Sequence, residues 1–130
     1  MIVVDASAAL EALLRTPAAG AVEARLFAPG ETLHAPHLID LEVAQVLRRF
    51  AAAGEMAPER GRIALADFAD FAIHRYPHSI LLPRIWALRG SLTAYDAAYV
   101  ALAEALDAPL VTRDRKLAAA GGHDARIELV

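Results

Sequence analysis

Cysteine is absent from the 130-residue sequence, and this absence excludes several kinds of chemistry. Without thiols the chain cannot form disulfides, build a thiolate zinc site or use a cysteine nucleophile. Lysine occurs only once, at Lys116, so arginine supplies nearly all of the positive charge. Catalytic groups must therefore come from carboxylate, imidazole, hydroxyl or guanidinium side chains.

Long apolar runs are also lacking. A membrane span needs about 18 to 20 apolar residues, whereas the first apolar run is interrupted at Asp5. No basic segment precedes that run, so no secretory signal is predicted, and we expect a cytoplasmic protein without membrane association. Hydrophobic residues nevertheless make up 57% of the chain. This is enough to build the core of a single domain spanning residues 1–130.

The charge balance is slightly acidic, since thirteen basic and sixteen acidic residues give a net charge of −3. Proteins that coat nucleic acid through bulk electrostatic attraction carry the opposite sign. A nucleic-acid substrate would therefore need a local binding device. Arginine suits bidentate contacts to phosphate better than lysine does, although a GC-rich coding bias also explains an excess of arginine.

Short apolar segments alternate with helical segments along the chain. The predicted strands cover residues 2–4, 31–35, 73–76, 109–112 and 126–130. The predicted helices cover residues 6–15, 21–27, 36–53, 58–72, 80–88, 94–106 and 117–120. Because parallel neighbours need a crossover between them, this alternation predicts a three-layer α/β/α sandwich with a short parallel sheet.

Two acidic residues stand where ligands bind in open parallel sheets, beyond the carboxyl ends of strands. Asp5 directly follows the first predicted strand, and Asp114 lies two residues beyond the fourth. Two further acids, Glu42 and Asp96, lie within largely apolar helical segments. An ionised carboxylate in an apolar setting needs a proton, a basic partner or a metal.

Together the four acids predict a metal site of hard oxygen ligands, which favours Mg²⁺ or Mn²⁺ over zinc. No lysine accompanies them, and His34 and His37 do not form a chelating pair on one helix. Three of the acids, each taken alone, also have a simpler interpretation. Asp5 and Asp114 suit helix N-caps, and Glu42 suits a solvated helix position.

Four motifs together resemble the PIN-domain family, and most closely its VapC toxins. They are IVVDAS, APHLIDLEVAQVLRR, LTAYDAAYVALAEAL and PLVTRDRKL, in the family's order and spacing. The resemblance covers essentially the whole chain and implies a Mg²⁺- or Mn²⁺-dependent endoribonuclease. It assigns catalytic and metal-binding roles to four acids: Asp5, Glu42, Asp96 and Asp114. It assigns Ser7 and Thr112 supporting roles in orienting carboxylates or a water molecule.

The implied chemistry concentrates negative charge in one pocket, which would repel RNA until a divalent cation binds the scissile phosphate and activates a water. No histidine is placed to act as a general base, so Asp5 or Asp96 is expected to accept a hydrogen bond from that water. Recognition of the RNA is expected to favour an exposed loop or single strand over a duplex. The basic residues expected to contact it are Arg89, Arg113, Arg115 and Lys116.

The resemblance further implies that the enzyme is a toxin held inactive by a cognate VapB-type antitoxin, and we also expect a homodimer. Residues 58–72 and 36–53 are expected to form an apolar groove for the antitoxin tail, with Leu65 and Phe71 in its lining. A basic side chain of that tail would reach the acidic pocket and compete with the metal. The alternative is that these apolar residues belong to the core.

Two other functions fit parts of the pattern. A binding-only module would dock a basic partner in the acidic pocket, but it would not need the hydroxyls of Ser7 and Thr112. A PIN nuclease that processes RNA without antitoxin control would carry the same residues, so its gene context would distinguish it. A phosphorelay receiver fits less well, because it needs an acidic pair after the first strand and a lysine after a late one. A haloacid-dehalogenase-like phosphatase needs a second aspartate two residues after the first, where this chain has Ser7.

Overall fold

The structure, a computed structural model, describes residues 1–130. Its strands are β1 (Ile2–Val4), β2 (Leu33–Pro36), β3 (Ile73–Tyr76), β4 (Leu110–Thr112) and β5 (Ile127–Leu129). Its helices are α1 (Ala6–Leu14), α2 (Ala19–Leu26), α3 (Leu38–Ala52), α4 (Pro58–Ala69), α5 (Leu82–Ala87), α6 (Ala94–Leu106) and α7 (Arg115–Ala119). A 3₁₀ turn over Ser79–Leu81 leads into α5.

The five strands form one parallel sheet in the order β3-β2-β1-β4-β5. Right-handed crossovers place α1 to α4 on one face of this sheet and α5 to α7 on the other. The contacts agree, because α1 packs against α2, α3 and α4, whereas α5 packs against α6. The predicted three-layer α/β/α architecture is confirmed.

The core explains why these segments fold as they do. β1 and β4 are completely buried and consist of apolar residues and Thr112, as expected for parallel strands covered on both faces. On α6 every residue from Ala97 to Ala103 is buried, and this helix packs against β1, β2 and β4. Small alanine side chains let α6 approach the sheet closely, which brings its first turn to the carboxyl ends of the strands.

Several predicted boundaries differ from the observed ones by two or three residues, and two of these differences have tertiary reasons. Pro36 ends β2 instead of opening a helix, since it pairs with Tyr76, and α3 begins only at Leu38. The helix predicted over 58–72 ends at Ala69, because the chain turns there and the Phe71 ring packs edge-on against Phe27 and Phe68.

No helix in the structure combines the length and hydropathy that a membrane crossing requires.

Candidate active site

The candidate site lies at the carboxyl edge of the sheet, between β1 and β4. The chain leaves β1 toward β2 on one side, whereas β4 lies on the other side, so this position is the topological switch point of the sheet. Ligands of open α/β sheets bind in the crevice at such a point. Asp5 immediately follows β1 and Asp114 follows β4 by two residues, so the sheet topology itself brings both acids to the crevice.

The Asp5 carboxylate is buried and held by three donors. Ser7 Oγ donates to its Oδ1 at 2.7 Å, and Thr112 Oγ1 donates to its Oδ2 at 2.5 Å. The backbone N–H of Ala8 also donates to Oδ1, at 3.1 Å, so Asp5 caps the N-terminus of α1. The N-cap interpretation is therefore correct, and it coexists with the position of Asp5 in the crevice.

The two hydroxyls also bind the loop that follows β4. Ser7 Oγ accepts a hydrogen bond from the backbone N–H of Arg113 at 2.9 Å, and Thr112 Oγ1 accepts one from the N–H of Asp114 at 2.9 Å. Both hydroxyl protons are used on Asp5 while both oxygens fix this loop. Ser7 and Thr112 thus set the relative positions of the acids that follow β1 and β4.

Asp114 caps the short helix α7, as its alternative interpretation predicted. Its Oδ1 accepts hydrogen bonds from the backbone N–H groups of Lys116 at 2.9 Å and Leu117 at 3.3 Å. Its side chain is half-buried, and its other oxygen has no hydrogen-bond partner within the protein. One carboxylate oxygen therefore stays available to a ligand in the crevice.

Glu42 and Asp96 approach the site from α3 and α6. Glu42 is half-buried, and its Oε1 accepts a hydrogen bond from the buried Tyr99 hydroxyl at 2.6 Å. Asp96 lies in the first turn of α6, where Thr93 caps the helix by accepting a hydrogen bond from the Asp96 N–H. The Asp96 carboxylate itself accepts no hydrogen bond from the protein, so both of its oxygens are free.

Each of the four carboxylates is repelled by the charges of neighbouring acids in the group. Burial raises the pKa of Asp5, and the charge of Asp114 raises it further, while hydrogen bonds from Thr112 and Ser7 oppose the rise. Burial likewise raises the pKa of Glu42, as do the charges of Asp5 and Asp96. Burial, followed by the Asp114 charge, raises the pKa of Asp96. Neighbouring like charges and desolvation both act against the ionised forms.

No cation of the protein offsets this repulsion. The salt bridges of the structure join other residues, and none includes one of the four acids. No three His, Asp or Glu side chains stand close enough together to hold a metal ion without rearrangement. The donor set nevertheless fits a hard divalent cation, because it consists of four carboxylates whose charges no cation of the protein compensates.

The basic residues expected to contact RNA do not form one cluster. The guanidinium of Arg89 lies over the Trp86 ring, 4.6 Å from its centroid, on the segment that follows α5. The other three lie beside Asp114, where the Arg113 guanidinium donates to the carbonyl of Val130. Arg115 and Lys116 are exposed and form no ion pair, so they are available beside the crevice.

Sequence reasoning missed Tyr99. Its hydroxyl joins α6 to Glu42 on α3, across 57 residues of sequence. Burial raises the pKa of Tyr99, and the Glu42 charge adds to that rise, so the phenol remains a proton donor. The available signal was a tyrosine in a helix of buried alanines, because a buried phenol hydroxyl almost always requires an acceptor.

The apolar groove near the site also differs from the expected one. Phe71 lies outside α4 and lines a cleft with residues of α1 and α2, so it does not face α3. An apolar groove that borders the acids runs instead between α1 and α3 and reaches Tyr95 at the start of α6. Ser7 and Glu42 lie in its wall.

Comparison with known proteins agrees with the fold. The chain matches the PIN domain family over residues 2–122. It is 48% identical over 130 residues to Ribonuclease VapC9 of Mycobacterium tuberculosis H37Rv, and the alignment covers 100% of this chain and 98% of that protein. It is 44% identical over 130 residues to Ribonuclease VapC12 of the same strain, and that alignment covers 100% of this chain and 99% of that protein. The crystal structure of VapBC2 from Rickettsia felis, bound to a DNA fragment from its promoter, has the same fold, with a TM-score of 0.73 at 16% identity over 99% of this chain and 98% of that one.

Proposed function

The chain belongs to the PIN-domain family of VapC ribonucleases, and from this premise we propose that it is a toxin that hydrolyses phosphodiester bonds of cellular RNA with the help of Mg²⁺ or Mn²⁺. The observation that carries the proposal is a group of four mutually repelling carboxylates at the switch point of the sheet. None of them forms a salt bridge with a basic residue of the protein. Such a cluster costs stability in the isolated chain, so its value lies in binding a ligand.

The residues proposed to hold the cation are the four acids Asp5, Glu42, Asp96 and Asp114. When bound, the cation supplies positive charge at the scissile phosphate and increases the acidity of water there. The protein supplies fixed oxygens for it. Ser7 and Thr112 hold both oxygens of Asp5, and Tyr99 holds one oxygen of Glu42, so these two carboxylates are oriented before any ligand arrives.

Asp96 is the residue proposed to accept the proton of the attacking water. The oxygens of Asp5 already accept three hydrogen bonds, whereas neither oxygen of Asp96 accepts one from the protein, so one oxygen of Asp96 can hold the cation and the other can accept a proton. As the water oxygen bonds to phosphorus, its proton passes to Asp96. The bond between phosphorus and the leaving ribose oxygen breaks on the opposite side, and that oxygen keeps the bonding electron pair and takes a proton from solvent water.

The competing function, docking of a basic partner in the acidic pocket, uses the same charges without chemistry. It gives no reason for Ser7 and Thr112 to hold both oxygens of one carboxylate. The hydrogen bonds to Asp5 therefore favour the nuclease.

The decisive experiment incubates the purified chain with a long RNA in Mg²⁺, in Mn²⁺ and in excess EDTA. We expect cleavage only with a divalent cation, and we expect Asp96→Asn and Glu42→Gln to reduce the rate by at least about 100-fold. Glu55→Gln, at an exposed acid between α3 and α4, is the matched control and should cleave at the wild-type rate. Full activity in EDTA, or equal loss in the control, contradicts the proposal.

Two partners complete the proposal. A VapB-type antitoxin is proposed to inhibit the enzyme by reaching the acidic pocket with a basic side chain. A second copy of the chain is proposed to cover the 3₁₀ turn and α5, where Ile80, Leu82 and Trp86 are exposed by 55% or more. Sedimentation of the wild type and of Trp86→Glu tests the dimer, since the charged variant should sediment as a monomer. We place the toxin in the cytoplasm, where its proposed RNA substrate is found.

A further inference from the structure

The groove between α1 and α3 begins at the acids and extends away from them. Its wall beside the acids contains Ser7 and Glu42, and its apolar surface includes Leu10 and the strongly exposed Leu41. Tyr95, which is 67% exposed, stands at its side in the position that precedes Asp96. A ligand chain that passes from the acidic crevice into this groove therefore meets an exposed aromatic side chain.

One stripe of α3 lines this groove with three different polar groups. Glu42, Gln45 and Arg49 are spaced three and four residues apart, so they lie on one face of the helix. Gln45 and Arg49 are exposed, and neither side chain has a hydrogen-bond or ion-pair partner in the protein. The rise along the helix places Arg49 about 10 Å from Glu42.

This order of groups matches a single-stranded RNA. The scissile phosphate is proposed to lie at the acids. The adjoining base has a flat apolar face that can stack on Tyr95. The next phosphate carries the negative charge that the free guanidinium of Arg49 binds. An apolar peptide helix fits the same groove less well. It would bury the Gln45 amide and the Arg49 charge without partners, and both burials cost free energy.

We propose that this groove is a nucleotide subsite in which Tyr95 stacks on the base beside the scissile phosphate, Gln45 contacts the edge of that base and Arg49 binds the neighbouring phosphate. The inference rests on the proposed nuclease function and adds the residues that select the cleavage site. It also adds Arg49 to the basic residues expected to contact RNA, which lie elsewhere, at Arg89 and beside Asp114.

The test measures binding of fluorescent single-stranded RNAs by anisotropy in an Asp114→Asn background, which is expected not to cleave them. Tyr95→Ala should weaken binding about tenfold, whereas Tyr95→Phe, which keeps the aromatic face, should bind as the parent does. Arg49→Ala should weaken binding and reduce the slope of log Kd against log salt by about 0.7. Arg48→Ala is the matched control, because Arg48 is also exposed and forms no ion pair but lies about 100° away on the helix.

Base selection is tested with four RNAs that differ only at the nucleotide beside the cleavage site. Wild-type cleavage should prefer one of them, and Gln45→Ala should make the four values of kcat/KM more alike while the melting temperature stays unchanged. Arg49→Ala should raise KM equally for all four RNAs with little change in kcat.

Three outcomes distinguish the possibilities. If the wild type cleaves RNA but Tyr95→Ala and Arg49→Ala behave as Arg48→Ala does, the subsite is wrong and the nuclease assignment stands. If these variants lose affinity for an antitoxin-tail peptide and keep their affinity for RNA, the groove docks protein and the inference is overturned. If the wild type cleaves no RNA with any divalent cation, the proposed function itself fails.

Discussion

At the scale of single residues, the Tyr99 hydroxyl separates a structural role from a functional one. Tyr99→Phe removes the 2.6 Å hydrogen bond to Glu42, and we expect it to cost about 1 kcal/mol of stability. The same hydrogen bond lowers the pKa of Glu42, so its loss raises that pKa. Because the proposed reaction needs ionised Glu42, the acidic limb of the pH profile of kcat should move to higher pH.

Tyr76→Phe provides the matched control for this prediction. The Tyr76 hydroxyl forms a hydrogen bond of 2.7 Å with His34, on the strands β2 and β3. Its loss should reduce the melting temperature by a similar amount without moving the pH profile. Equal profiles for the two variants would mean that Tyr99 acts only in packing.

Asp96 gives a prediction about pH and stability. Its pKa in the folded chain is raised, mainly by burial and then by the charge of Asp114, so the folded state favours the protonated form. The contribution of Asp96 to the free energy of unfolding is therefore complete below the pKa that Asp96 has in the unfolded chain. It is lost as pH rises through the higher pKa that Asp96 has in the folded chain. Without metal, Asp96→Asn should be more stable than the wild type at neutral pH, and the difference should disappear in acid.

Urea unfolding in EDTA across this pH range measures the difference directly. Asp67→Asn, at an exposed position of α4, serves as the control for the general effect of an aspartate-to-asparagine change. A difference for Asp96→Asn that is constant with pH would show that the Asp96 charge is not repelled in the folded chain.

At the scale of elements, Asp5 joins three of them. It follows β1, caps α1 through Ala8 and accepts a hydrogen bond from Thr112 at the end of β4. Asp5→Asn keeps an oxygen for the cap, whereas Asp5→Ala leaves the Ala8 N–H and two hydroxyls without their acceptor. Both variants should be inactive, but the alanine variant should be less stable than the asparagine variant by about 1 to 2 kcal/mol. Denaturant unfolding of the two variants in EDTA checks this, and equal stabilities would contradict it.

The same scale shows what the sequence can and cannot predict. The strand β4 and the helix α6 were predicted within one residue, because their apolar patterns are strong and local. The end of α4 was not, since it depends on the packing of Phe71 against Phe27, which lies far away in sequence. The contact of Tyr99 with Glu42 and the groove between α1 and α3 were missed for the same reason. The strand-end acids were predictable because position relative to a parallel sheet follows from the order of elements alone.

At the scale of the whole molecule, charge is distributed unevenly. The chain carries a net charge of −3, and with four of its sixteen acids at one site, the remaining acids nearly balance its thirteen basic residues. The excess negative charge therefore belongs to the candidate active site, and it opposes folding wherever no cation is bound. A divalent cation that binds there should stabilise the whole fold by mass action.

This stabilisation is the final prediction. With Mg²⁺ at about ten times its dissociation constant, the free energy of unfolding should rise by about 1.4 kcal/mol, equivalent to a rise of roughly 5 °C in melting temperature. The shift should saturate with concentration and reverse in EDTA, and sodium chloride of equal ionic strength should not reproduce it, because screening alone does not supply a bound ion. Asp5→Asn and Asp96→Asn should lose the shift, while Glu55→Gln, at an exposed acid outside the site, should keep it. An equal shift in all of these variants would place the cation elsewhere on the surface and remove the proposed role of the four carboxylates as its ligands.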